Sequence, residues 1–227
     1  MRRTVAGAAI LVAIAGFVAL GVWQLERRAW KLDLIARVDA RLAAAPVPAP
    51  GPAEWPAITR EADEYRRVTA TGRFLDDRAV TTLAVTARGP GYWVMTPLET
   101  PGFTVLVNRG FVPQDRRDPS TRPEPRPSGP VTVAGLLRLT EPGGGFLRRN
   151  DPADGRWYSR DVAAIAAAQG LGTVAPYFID ADATPNPGGL PIGGLTVVTF
   201  RNAHLSYALT WFGLAAGLAF LAIRAAR

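Results

Sequence analysis

Cysteine is absent from the 227 residues. That excludes disulfides, thiolate metal sites, iron–sulfur clusters and covalent c-type haem attachment. Histidine occurs once, at His204, and methionine twice, at Met1 and Met95. Zinc and copper normally take several imidazole or sulfur ligands, so no metal site built within the chain is expected. A Ser–His–Asp or Cys–His catalytic unit would have to be assembled on His204. Lysine is nearly missing too, Lys31 being the single lysine among 26 basic residues.

The chain is nevertheless basic, with a formal net charge of +7 and a pI near 10.7. Arg2 and Arg3 precede the first long apolar run, and Arg224 and Arg227 close the last one. Setting those four aside leaves 22 basic residues against 19 acidic ones. No dense basic run with interleaved aromatics occurs between the apolar runs, so the expected partner of this charge is a lipid bilayer and not nucleic acid.

TVAGAAILVAIAGFVALGVWQ, residues 4–24, carries no charge and is long enough to cross a hydrocarbon core of roughly 30 Å. A secretory signal is the rival reading, but its apolar stretch would be about 7–15 residues and end at a small-residue cleavage site. This run instead ends at Trp23 and then Glu26, Arg27 and Arg28, which favours an uncleaved anchor with an interfacial aromatic. AHLSYALTWFGLAAGLAFLAI, residues 203–223, is a second run of spanning length. Gly213 and Gly217 stand four apart in it, and Ala9, Ala13, Ala15 and Ala19 repeat by fours in the first. Small residues at that spacing suit close helix packing in lipid, although glycine is common in membrane helices generally. Two spans put both termini on one side, yet the flanking charges on the two faces leave the side itself open.

Between the spans, residues 25–45 keep a helical period, with Leu34, Val38 and Leu42 on one face, and are expected to form a juxtamembrane amphipathic helix. Prolines crowd residues 46–63, read as a linker. From residue 64 to 201 the pattern turns to β: EYRRVTATGRF, AVTTLAV, GYWVMTPLE, FTVLVNRGFV, VTVAGLLRL, APYFIDA and LTVVTF are short runs rich in Val, Thr, Phe and Tyr. One helix is expected from Asp161 as N-cap to Gly170 as stop. The loop between Val112 and Val131 contains Pro113, Pro119, Pro123, Pro125, Pro127 and Pro130 and reads as solvated, or as a binding arm. The expected fold is an α+β membrane protein, in which two transmembrane helices flank a predominantly antiparallel, barrel-like β domain with one short helix.

GVWQLERRAWKLDLI, EYRRVTATGRF, VLVNRGFVP, RLTEP, RWYSRD, YFIDAD, GGLPIGGLTVV and RNAHLSYALTWFGLA, in this order from Gly21 to Ala215, closely resemble the Surf-one (surfeit locus protein one) family. The resemblance implies a two-span protein that assists assembly of haem–copper cytochrome c oxidase. Implied partners are the oxidase catalytic subunit and the haem a synthesis machinery, and the implied cofactor is haem a, bound transiently. It also implies a cytoplasmic N-terminus and a periplasmic domain. With three residues ahead of the first span, the bacterial inner membrane is the expected location.

The individual motifs also have local readings. Gly110 falls at a strand end where a residue without Cβ is needed, and Arg109 is expected to form a surface ion pair and not a ligand clamp. Trp157, Tyr158 and Asp161 read as core plus cap. Asp76–Asp77 and Asp180–Asp182 read as turn acids, and Gly143–Gly145 as a turn, because the spacing matches no phosphate-binding loop. Three functions stay open: a haem-binding assembly factor, a docking scaffold for oxidase subunits, and a membrane-anchored enzyme using carboxylates, with non-enzymatic function expected. His204, Tyr207 and Trp211, at i, i+3 and i+7, are expected to share a helical face. An ionisable group inside a span is a functional candidate by default, and the resemblance makes His204 the haem a axial ligand with Tyr207 and Trp211 flanking it. The plainer alternative is a histidine that snorkels to the interface or caps the preceding turn.

Overall fold

The computed structural model describes residues 2–122 and 129–226. Pro123, Pro125 and Pro127 of the proline-rich loop, and the flanking Arg227, lie outside the described residues. In chain order the elements are α1 (Arg2–Ala43), β1 (Val47–Pro48), α2 (Arg60–Asp63), β2 (Arg67–Phe74), β3 (Val80–Thr86), β4 (Gly89–Thr100), β5 (Phe103–Pro113), β6 (Val131–Leu139), α3 (Val162–Ala168), β7 (Val174–Ala181) and α4 (His204–Ala226). They form two compact units, Met1–Asp39 with Val198–Arg227, and Ala40–Val197.

In the first unit α1 and α4 are both long and apolar enough to cross a membrane. Most of their side chains are not covered by protein, as expected of helices whose solvent is lipid. The two expected segments 4–24 and 25–45 are one continuous helix, because nothing between Gln24 and Ala43 breaks the backbone ladder. The helices meet along a seam of Phe17 and Gly21 on α1 and Ala208, Trp211, Phe212 and Ala215 on α4. Phe17 stacks on Trp211 with ring centroids 5.8 Å apart, and a Cβ on Gly21 would fall 2.5 Å from the Phe212 ring. Ala208 and Ala215 are buried. The glycine pair singled out for packing is not in this seam. A Cβ on Gly213 or Gly217 would meet nothing within 4 Å beyond its own helix, because the two lie on a different face of α4 from Ala208 and Ala215. Close approach uses one glycine on α1 opposite an aromatic, with alanines filling the rest.

In the second unit the sheet order is β1-β2-β6-β7-β5-β4-β3, and β2 also pairs with β4 through Arg73–Glu99 and Phe74–Leu98. Strands β2, β6, β7, β5 and β4 therefore close into a five-stranded barrel, with β1 and β3 as outer additions. Closure removes the open edges that would template aggregation. Pairing is antiparallel except for β1 with β2 and β5 with β7, so the sheet is mixed. Alternation does the sorting. Val68, Ala70, Leu98, Val105, Val107, Leu137, Ala175, Tyr177 and Ile179 form one core cluster. The alternate residues Met95, Leu106 and Phe178 pack with Val80 and Trp157 beneath Val162 and Ile165 of α3. Strand β5 is covered on both faces, which explains its near-continuous apolar run.

Helix α3 starts and stops as its sequence predicts. The Asp161 carboxylate accepts from Ala164 N at 3.1 Å, and Gly170 takes φ +58° after the last turn. Two segments differ from expectation. Residues 46–63 are not a bare linker: Val47–Pro48 pairs with β2, and Trp55 and Ile58 pack against the barrel core. The Tyr177 hydroxyl donates to Pro50 O at 2.7 Å, and burial pushes this phenol above its ordinary pKa. LTVVTF, residues 195–200, forms no strand. The barrel has already closed through β2–β4, and Thr196 directs its hydroxyl to Asp180 instead.

Candidate functional site

His204 is the first residue of α4, and its ring meets the Gln24 side chain of α1. His204 Nδ1 lies 2.7 Å from Gln24 Oε1. A carboxamide oxygen only accepts, so Nδ1 donates in this contact, and in the neutral ring that leaves the lone pair on Nε2. Nε2 makes no hydrogen bond among the described residues. His204 and Tyr207 line an open cavity of about 340 Å³ together with Gln24, Ala203 and Arg201. Tyr207 is 56% exposed on its rim. Trp211 lies outside the cavity, one to two turns further along, where it stacks on Phe17. Of the three predicted residues, the fold thus brings two to one cavity and uses the third in the helix seam. Gln24 was missed by sequence reasoning; the one available signal was a lone carboxamide at the end of an uncharged run.

A second polar constellation lies in the barrel unit. Asp180 on β7 is 2% exposed and stands in register with Asn108 on β5, whose amide donates to it at 2.8 Å. Arg138 on β6 and Arg160 ahead of α3 donate to the same carboxylate at 2.8 and 3.0 Å, and the Thr196 hydroxyl at 2.9 Å. Arg138 also reaches Glu64 at 2.8 Å, and Arg160 holds Glu141 through two of its nitrogens. Each guanidinium lies over a ring, Arg138 on Tyr65 and Arg160 on Phe178.

The electrostatics favour the charged forms of Arg138 and Glu141. Burial works to lower the Arg138 pKa, but the Asp180 charge and the Glu64 hydrogen bond outweigh it and hold it above its ordinary value. Burial likewise works to raise Glu141, and Arg160 overcomes it and leaves the acid below its ordinary value. Arg138, Arg160 and Asp180 line a cavity of about 410 Å³ whose other walls include Tyr65, Trp93, Val85 and Leu195. A general acid needs a raised pKa and a free proton path; these carboxylates are clamped by guanidiniums, which suits a fixed strut. Among the described residues no group of His, Asp and Glu is arranged to hold a metal ion. Asp180 was read as a turn acid, and the correction is physical: its strand register carries it between two arginines from distant parts of the chain.

Arg109 owes its position to a bulge. Val94 pairs with Gly110 and Met95 with Asn108, so Arg109 is the extra residue on β5, and such bulges re-aim side chains. It is buried over the Phe74 ring, pairs with Asp76 at 3.0 Å and donates to Asn186 Oδ1. Gly110 has φ +133°, and a Cβ there would fall 2.2 Å from the Ile192 carbonyl, so no other residue fits.

A family model described as the SURF1 family matches residues 11–216. A rat protein named Surfeit locus protein 1 is 39% identical over 223 residues, covering 90% of this chain and 70% of the rat protein. The human protein of the same name is 38% identical over 231 residues, covering 93% and 74%. A Caenorhabditis elegans SURF1-like protein is 34% identical over 235 residues, covering 92% and 70%.

Proposed function

Because the chain belongs to the SURF1 family, we propose that it assists assembly of haem–copper cytochrome c oxidase at a bacterial inner membrane. In this reading its barrel unit faces the periplasm, and His204 holds haem a for delivery to the catalytic subunit. Haem a would supply an iron that takes a nitrogen ligand, and His204 would be the residue to hold it. The observation that carries the reading is the His204–Gln24 hydrogen bond, which fixes the tautomer with Nε2 available and restrains the ring. Tyr207 borders the same cavity, and Arg201 on its rim is a cation suited to a carboxylate. Trp211 acts at one remove: its stacking on Phe17 fixes the seam on which the Gln24–His204 pair depends.

The test is the Soret absorbance per protein of full-length wild type, His204→Ala and Gln24→Ala purified from cells making haem a. His204→Ala should lose the band. Gln24→Ala should weaken haem affinity by about 10–100-fold, the usual consequence of removing the group that orients a ligating histidine. A His204→Ala protein that keeps full haem content and an unchanged spectrum eliminates His204 as the ligand. A docking scaffold without haem would then be the reading to adopt.

A further inference from the structure

Among the described residues of the barrel unit, Phe146 and Leu147 are the most exposed large apolar side chains, ahead of Val85 at 82% and Val197 at 73%, and they stand side by side at one tip. After β6 the chain makes a tight turn, Gly145–Phe146–Leu147–Arg148, closed by Gly145 N donating to Arg148 O at 2.9 Å and Arg148 N donating to Gly145 O at 3.2 Å. Phe146 and Leu147 occupy its two corners and are 91% and 88% exposed.

The turn is firmly based. Gly143 N donates to Asp161 and Gly144 N to Ser159 Oγ, and the Asn150 carboxamide bonds to Ser159 and to the backbone of Tyr158 and Ser159. Leu147 has φ +57°, a conformation that favours glycine or asparagine, so a bulky apolar residue is kept there against backbone preference. Directly behind the tip stand Arg148, over the Tyr158 ring, and Arg149. Neither makes an ion pair among the described residues. The nearby acids are engaged elsewhere, Asp151 and Asp154 with Arg156 and Asp161 as the α3 cap.

We propose that Phe146 and Leu147 are a membrane-dipping tip, inserting into the interfacial layer of a bilayer while Arg148 and Arg149 meet the phosphates of anionic headgroups. Apolar side chains backed by cations and an aromatic ring are the composition that settles at a lipid interface. A convex two-residue corner suits a deformable lipid surface, where a protein partner would need a matching pocket. Both ends of the barrel unit continue into helices of spanning length, so the encounter with lipid is intramolecular, and an insertion too weak to recruit a soluble protein is sufficient here. This inference rests on the two spans and not on the haem reading.

The absence of native cysteine makes the test direct, because a single introduced cysteine reports one position. Full-length Leu147→Cys, and separately Phe146→Cys, would carry a nitroxide in vesicles of phosphatidylcholine and phosphatidylglycerol. Ala53→Cys, at an exposed site in the Pro-rich segment, is the reference. Collisions with oxygen, which concentrates in hydrocarbon, are compared with collisions with a nickel chelate present on both sides of the membrane. At both tip positions oxygen collisions should rise and nickel collisions fall several-fold relative to Ala53→Cys. Adding Arg148→Glu and Arg149→Glu should return the tip to water in the anionic vesicles. A tip label as open to nickel as the Ala53 label overturns the proposal. So does protection that arises only on adding purified oxidase subunit, which would assign the tip to a protein partner.

Discussion

Replacing Arg138 by methionine keeps much of the side-chain volume over the Tyr65 ring and removes one charge from the buried network. Glu64 and Asp180, 5% and 2% exposed, then lose a guanidinium at 2.8 Å each. Glu64 keeps Arg60 at 3.5 Å and Asp180 keeps Arg160 at 3.0 Å, so two cations then face the three carboxylates Glu64, Glu141 and Asp180. Breaking a buried pair by removing one partner costs about 3–5 kcal/mol, because the uncompensated charge stays buried. For a unit of this size each kcal/mol shifts Tm by about 2–4 °C, so the midpoint should fall by roughly 6–20 °C near pH 7.5. The pH dependence separates this mechanism from lost packing. A buried carboxylate that has lost one of its cations takes up a proton more readily and so escapes the penalty, and the gap to wild type should narrow as the buffer is acidified. Thermal scans of tryptophan emission on the full-length protein in detergent, at one scan rate, provide the measurement. A midpoint within about 2 °C of wild type at neutral pH, or a gap that widens on acidification, would refute an electrostatic origin for the loss.

Tyr177→Phe should cost about 1–2 kcal/mol by leaving the Pro50 carbonyl without its buried donor, and should make the 46–58 segment more susceptible to limited proteolysis, while intact resistance would refute the clamp. Glu141 has a folded pKa below its ordinary 4.5, so its contribution is complete above that pH and is lost as pH falls through the lower folded value. Acid unfolding of Glu141→Gln should therefore show a shallower loss of stability below pH 4.5 than wild type, and identical acid limbs would count against the Arg160 pair.

Local rules reached the elements whose reasons are local. The spans at residues 4–24 and 203–223 follow from run length alone, and helix α3 follows from an aspartate cap and a glycine stop. The six runs that became β2 to β7 were visible because alternation records which face of a strand is buried, and Gly110 was recognised as a position that admits no Cβ. LTVVTF carries the same alternation and stays unpaired, since composition says what a strand prefers and not whether an edge remains to receive it. The Pro-rich segment misled for a related reason: proline forbids helix but allows a short edge pairing, and Pro50 needed only its carbonyl to bind Tyr177.

His204 could be singled out by rarity, and its helical neighbours Tyr207 and Trp211 by spacing; that Gln24 faces it required two helices far apart in sequence to pack. Asp180 looked like one of a pair of turn acids until the β5–β7 register set it beside Asn108 and between Arg138 and Arg160. Run length, periodicity and caps depend on neighbours within a few residues, so the sequence by itself determined the spans, most of the strands and the short helix. Barrel closure through β2–β4, the bulge that turns Arg109 inward, the partners of Asp180 and the His204–Gln24 pair depend on residues 13 to 180 positions apart. Only the tertiary structure decided those, because a buried ion or hydrogen bond is fixed by what stands opposite it in space, and no periodicity records that.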